Sequence, residues 1–315
     1  MLDSSGEKEL GRDVDDAMRL FEQSKTIGDG HINPVRPSRV LLVLDGSNQD
    51  DASIVAAAHF RERFNTETLV LDGRRQMDDH ADPLPDVGQR ISGSRPVSET
   101  DSEPHDRILS AVNRHDVDLV VLPCPLGRSI DELGAASVGT ATDVLLSRLS
   151  VPMLIIRQAE KDFVASTSHV AVVVGSECDV TARAAGWALG LVRPSGRVSL
   201  NLVIEKEQFE NMRSIVRSMD PASEMDVREF SDALTKAHQS LHRGLTEAAK
   251  QRSIEYEMLP QAGGDSPPGI AWADRQVLIV LPIEVDDRFA QGFVHDRIRR
   301  SAHPVLVVPG HVVAR

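Results

Sequence analysis

Gly139-Thr-Ala-Thr-Asp-Val-Leu-Leu-Ser-Arg-Leu-Ser-Val-Pro-Met-Leu-Ile-Ile156 reads as a helix that starts after Gly139-Thr140, followed by a closing aliphatic strand after Pro152. Upstream, Asp118-Leu-Val-Val-Leu122 is a second short aliphatic run, and a loop leads from it into the helix. A strand, a crossover helix and another strand in this order imply a parallel sheet.

The same alternation extends toward the amino terminus. Arg39-Val-Leu-Leu-Val-Leu-Asp45 is an uninterrupted aliphatic run ended by a turn at Gly46-Ser47-Asn48. Such a run suits a strand buried on both faces. A helix is expected through Ile54, Ala57, Ala58 and Phe64, a strand over Glu67–Leu71, and another helix around Ile108 and Val112. Residues 72–102 are rich in Asp, Gly, Pro and Ser and read as irregular, without a helix, and with one strand near Gly88–Ile91.

Toward the carboxyl terminus the order repeats. His169-Val-Ala-Val-Val-Val-Gly-Ser176 parallels Val40–Ser47, a helix spans Ala182–Leu191 and a strand Val198–Ile204. Gln276–Leu281 parallels Asp118–Leu122, and His303–Val308 parallels Val151–Ile156. A repeat of more than about a hundred residues indicates duplication of a domain. The expected organisation is residues 1–37 as an amphipathic helix and linker, 38–160 as a first domain and 168–315 as a second. In the first segment Leu10, Val14, Met18 and Phe21 recur at helical spacing, and Asn33-Pro-Val-Arg-Pro37 is the extended linker. That helix packs on the protein's own surface or docks a partner. In the second domain a long helical stretch is expected over about 205–251, and Gly263–Gly269 is too short and Pro/Gly-rich for a further full helix.

Composition narrows the function classes. The chain has 315 residues, 41% hydrophobic and 26% charged, with a formal net charge of −13. That balance argues against a general nucleic-acid surface or an anionic membrane surface, both of which need a basic footprint. The aliphatic runs are far shorter than a membrane span. Met1-Leu-Asp-Ser-Ser-Gly-Glu7 has neither a positive n-region nor an apolar h-region, and the two cysteines, Cys124 and Cys178, make no disulfide framework. A cytoplasmic location is expected.

A strand ending in Asp45, the Asp118–Leu122 strand and the whole Gly139–Ile156 block resemble the universal stress protein family in residue type and spacing. The resemblance covers residues 38–157 closely and 168–309 loosely. It implies two tandem open parallel-sheet α/β domains of the adenine nucleotide alpha hydrolase-like type, with helices on both faces. It also implies pairing of the two domains within the chain through their last strands, Val151–Ile156 and Pro304–Val308, and is compatible with a further homodimer. Members of the family act in stress responses, and a subset binds ATP through a glycine pattern after the fourth strand. The glycines let backbone N–H groups approach phosphate, and the last Gly-Ser/Thr opens a helix whose free N–H groups favour an anion.

Carried onto this chain, the nucleotide-site candidates are Asp45, Gly46, Gly127, Gly139 and Thr140. The middle of the pattern departs from the family. Ser129 stands where a glycine is expected, and Pro123-Cys-Pro125 removes N–H donors where phosphate needs them. In the second domain, placing Gly175-Ser176 on Gly46-Ser47 puts Val174 at the Asp45 position. Pro282–Arg288 there is acidic and lacks the glycine loop, and Gln291-Gly-Phe293 replaces Gly-Thr. Two functions follow. One is a non-catalytic regulatory or partner-binding protein, with an unidentified protein partner and a degenerate second domain. The other is an ATP-binding, slowly hydrolysing protein that uses the first domain only.

Other residue groups carry less. His238 and His242 share a helix face but lack a third metal ligand, and an exposed face is expected. Asp78-Asp-His-Ala-Asp82 lacks the spacing of a calcium loop. Cys124 is expected to be a small buried residue. Arg297, Arg299 and Arg300 complement a helix C-terminus. No Ser/His/Asp arrangement and no P-loop is present, so no catalytic residue and no metal ligand is assigned.

Overall fold

The computed structural model describes residues 31–74, 84–127, 137–158, 162–175, 179–219, 227–264, 275–284 and 288–310. The expected amino-terminal helix and the Asp78–Asp82 cluster lie outside them.

The strands are β1 (Arg39–Leu44), β2 (Glu67–Asp72), β3 (Arg95–Val97), β4 (Leu119–Pro123), β5 (Met153–Ile156), β6 (His169–Val174), β7 (Arg197–Glu205), β8 (Glu255–Gly264), β9 (Leu278–Ile283) and β10 (Val305–Pro309). The helices are α1 (Asp50–Phe64), α2 (Leu84–Arg90), α3 (Pro104–Arg114), α4 (Thr140–Arg148), α5 (Phe163–Ser166), α6 (Asp179–Leu191), α7 (Lys206–Met219), α8 (Val227–Ala237), α9 (Gln239–Gln251) and α10 (Arg288–Arg300). They surround one ten-stranded sheet in the order β3-β2-β1-β4-β5-β10-β9-β6-β7-β8. Each half of five strands has the same internal order, read outward from the middle in opposite directions. All neighbours are parallel except β5 and β10, which pair antiparallel with Leu306 opposite Leu154.

The aliphatic runs explain this sheet. Successive side chains of a strand face opposite ways, and both ways lead to an apolar layer. Val40, Leu42 and Leu44 pack with α1, α6 and α9 on one face. Leu41 and Val43 pack with α3, α4 and α10 on the other. Central strands therefore read as continuous Val, Ile and Leu. The structure is an α/β fold with a mostly parallel sheet and helices on both faces, as the sequence implies.

Four details differ from the sequence reading. Residues 84–90 are a short helix, with Val87 and Ile91 buried four apart on one side, where a strand was expected near Gly88–Ile91. The parallel edge strand comes later, at β3. The helical stretch at 205–251 is three helices, α7 to α9, packed along a strand, β8, that the pattern concealed. His238 is buried at the junction of α8 and α9, and His242 Nδ1 lies 2.9 Å from the Tyr256 hydroxyl, so these histidines do not form an exposed face. Finally, strand register equates Arg39 with His169, since these pair with Glu67 and Arg197 respectively. The position of Asp45 in the second half is thus Gly175, not Val174.

The extended linker is a packed strap. Ile32 is buried, and the Val35 N–H donates to the Gly186 carbonyl at 2.9 Å. Gly186 and Gly190 stand one turn apart on α6 and admit the strap. A Cβ on Gly190 would lie 1.6 Å from the Val35 oxygen.

Candidate functional site

Ligands of open α/β sheets bind beyond the carboxyl ends of the strands. In the first half that edge gathers the turn after β1, the loop after β4 and the start of α4. Asp45 sits just past β1 and is only 8% exposed. The Ser47 N–H donates to its Oδ1 at 3.0 Å, and the Gly127 N–H to its Oδ2 at 2.6 Å. Gly46 and Gly127 both adopt positive φ, at 80° and 72°, which favours glycine. Those two turns aim their N–H groups back at the edge of the sheet.

Asp50 belongs to this cluster and was not singled out by the sequence. It opens α1, and its carboxylate accepts from the Asp45 N–H at 3.1 Å and the Gly46 N–H at 2.8 Å. Burial, and then the neighbouring Asp45 charge, push its pKa up to about 7. The signal available in the sequence was an acid in the first turn of a helix, which is too common to distinguish this one.

Gly139 has φ 79° and is the N-cap of α4, so the first N–H groups of that helix have no partner within it. Gly127, Ser137, Gly139, Thr140, His105 and Asp143 line a cavity of about 260 Å³. The structure thus brings Gly127, Gly139 and Thr140 to one cavity. Asp45 and Gly46 are not among its lining residues. Two acids, Glu103 and Asp143, also line it, and they repel phosphate.

Beneath the cavity lies a cysteine–arginine pair. Cys124 is fully buried, with a cis bond to Pro125. Its Sγ is 3.4 Å from the Val138 oxygen and 3.8 Å from both Thr142 Oγ1 and Arg157 Nη1. Burial pushes the Cys124 thiol up from its ordinary value, beyond what the nearby Arg157 charge lowers it. Arg157 is 4% exposed and donates from Nη1 to the Ser137 carbonyl at 2.8 Å, which ties β5 to the approach to α4.

At the matching edge of the second half an aromatic ring lies beside the strand end. Gly175 stands where the first half has Asp45, and a Cβ there would meet the Phe293 ring of α10 at 3.8 Å. The Arg297 guanidinium covers that ring, 4.5 Å from its centroid. His295 of the same helix reaches across to the first half, with Nδ1 3.0 Å from Asp143 Oδ1.

Among the described residues no helix is long and apolar enough to cross a membrane. No family model and no curated protein matches the sequence. Solved structures do. A universal stress protein from Archaeoglobus fulgidus superposes with a TM-score of 0.58 at 16% identity, over 86% of this chain and 98% of that one. A functionally unknown protein from Pseudomonas aeruginosa superposes with a TM-score of 0.58 at 13% identity, over 87% of this chain and 92% of that one. The chain therefore has the fold found in universal stress proteins.

Proposed function

We propose that this is a two-domain, non-catalytic regulatory protein of universal stress protein type, which acts in the cytoplasm by binding a protein partner. The observation that carries the reading is the state of Asp45. Both of its carboxylate oxygens already accept backbone N–H groups, from Ser47 and Gly127, and the residue is 8% exposed. Asp45 is thus largely shielded and engaged in holding two turns together, and the Gly127 N–H is not left for a phosphate. The adjoining cavity of about 260 Å³ lies below the ~300–1,000 Å³ usual for small-molecule sites. In the second half the corresponding position is Gly175, which has no carboxylate, and the Phe293 ring lies beside it. A second reading, ATP binding by the first half alone, is favoured by Gly139 and Thr140, which open α4 onto that cavity.

One experiment separates the two. Mass analysis of small molecules released from freshly purified protein, with ATP calorimetry, is expected to find no nucleotide and no binding heat. Tight binding that Asp45→Ala abolishes would establish the second reading in its place.

A further inference from the structure

A larger cavity, of about 590 Å³, lies away from this edge, where the strap meets both halves of the sheet. Its apolar walls are Val35 of the strap and Val117 and Val151 at the entries to β4 and β5. Arg183 and Trp187, one turn apart on α6, complete it. We propose that this cavity binds a small monocarboxylic acid with an apolar body, its carboxylate on the Arg183 guanidinium and its body against Trp187 and the valines. The site is separate from the Asp45 edge, so the proposal rests on neither reading of function given above.

The charged groups of the lining differ in what the chain leaves to a ligand. Asp116 is ion-paired with Arg39, whose Nη1 is 4.0 Å from its Oδ2. Asp118 accepts from the Ser38 and Arg39 N–H groups at 2.9 and 3.0 Å. Arg36 stacks on the Phe64 ring, 5.6 Å from its centroid. Those three are engaged by the protein itself. Arg183 is half-buried, and its Nη1 donates to the Pro309 carbonyl at 2.8 Å, which pins the guanidinium. Among the described residues no carboxylate pairs with it. Burial lowers its pKa, and no neighbouring charge raises it. The remaining donors of its planar fork suit a carboxylate, which can take two of them side by side.

Trp187 adds a second unmet donor to the same helix face. It is 3% exposed, and its indole N–H has no acceptor among the described residues. A buried donor without an acceptor is costly, and a ligand that brings an acceptor oxygen to this wall offsets the cost. Size and lining set the rest of the ligand. The volume falls within the ~300–1,000 Å³ of small-molecule sites, which are mostly apolar with a few placed polar groups. Valines from three separate stretches of chain and the indole ring supply contact for an aliphatic or aromatic body. A bare anion would leave that volume unfilled, and a second negative charge would meet Asp116 and Asp118 on the first-half side.

The test is calorimetric titration of the full chain with 4-phenylbutyrate, 4-phenylbutyramide and acetate. The first is expected to bind, and the amide to bind about ten- to a hundredfold more weakly, the usual worth of a hydrogen bond to a charged group. Acetate, which lacks the apolar body, should give no measurable heat. In Arg183→Gln the acid should bind no better than the amide. Ser150 also lines the cavity, and Ser150→Trp should abolish binding of both by filling it. That variant leaves Arg183 and its bond to Pro309 in place, so it tests the site even where Arg183→Gln lowers the unfolding midpoint. Absence of 4-phenylbutyrate binding to the wild type, equal binding of acid and amide, or acetate binding as tight as that of 4-phenylbutyrate would overturn the proposal.

Discussion

The backbone N–H of Gly127 donates to Oδ2 of Asp45 at 2.6 Å, joining the turn after β1 to the loop after β4 across 82 residues of sequence. The contact makes Asp45 part of the architecture of the sheet edge. Asp45→Ala should cost about 1.5–3 kcal/mol in a denaturant titration, the range for hydrogen bonds to a charged group. A stability equal to wild type would mean that the turn holds itself.

Asp50, beside it, gives a pH signature. Its pKa rises from 3.8 to about 7 because burial and the Asp45 charge disfavour its ionised form. The folded state then holds a proton that the unfolded chain has lost. This group therefore subtracts stability progressively as pH rises from about 4 to about 7, and by a constant amount above that. Asp50→Ala removes the subtraction along with two hydrogen bonds. Its stability relative to wild type should improve through that window. A difference between the two proteins that is flat with pH would refute the assignment.

Gly190 supports the strap by having no side chain. A Cβ there would lie 1.6 Å from the Val35 oxygen, so Gly190→Ala must lift residues 33–36 off α6. A loss of about 1–3 kcal/mol is expected, as for other overpacking substitutions, together with faster proteolysis near Val35. Gly292 in α10 is the control, since nothing lies within 4 Å of a Cβ there. Gly292→Ala should be stabilising by about 0.5–1 kcal/mol.

Leu154 and Leu306 face each other where the two halves join, and both are fully buried. Leu154→Ala should lose about 2–5 kcal/mol. Because one apolar layer runs through both halves, the variant should still unfold in a single transition. Two separated transitions, seen by circular dichroism and by tryptophan fluorescence, would show that the halves are independently stable.

Cys124 should be inert. Its side chain is fully buried and its thiol is pushed away from the reactive thiolate. In a Cys178→Ser background, a thiol reagent should label the protein only upon unfolding. Labelling of the native state at the rate of a free thiol would contradict the packing seen here.

The parts of this fold that the sequence discloses are those with unbroken aliphatic runs. β1, β4, β6, β9 and β10 are buried on both faces, and burial dictates their composition. β8 escapes because it is an edge strand. Tyr256 and Met258 turn toward the core while Glu255 and Glu257 alternate with them, and Pro260 breaks the pattern. The helix at 84–90 escapes because, among its residues of described burial and the one that follows, Val87 and Ile91 alone are buried, too few to show a period. At the site, Asp45 and Gly139 are legible from their spacing to neighbouring strands. The bond between Asp45 and Gly127 is not, because only the finished sheet brings the two turns together. The equivalence of Asp45 with Gly175 likewise needs strand register, since a one-residue shift leaves the local pattern nearly unchanged.

The antiparallel meeting of β5 and β10 bears on how such a molecule can change. When two copies of one polypeptide meet about a two-fold axis, every substitution appears on both sides of the contact. Here the facing strands belong to different stretches of a single chain. Leu154 and Leu306 can be altered one at a time, and so can the two ends of the sheet. That freedom lets one half carry an aspartate held by backbone amides where the other carries a glycine beside an aromatic ring, within an assembly whose internal ratio of the two is fixed at one to one.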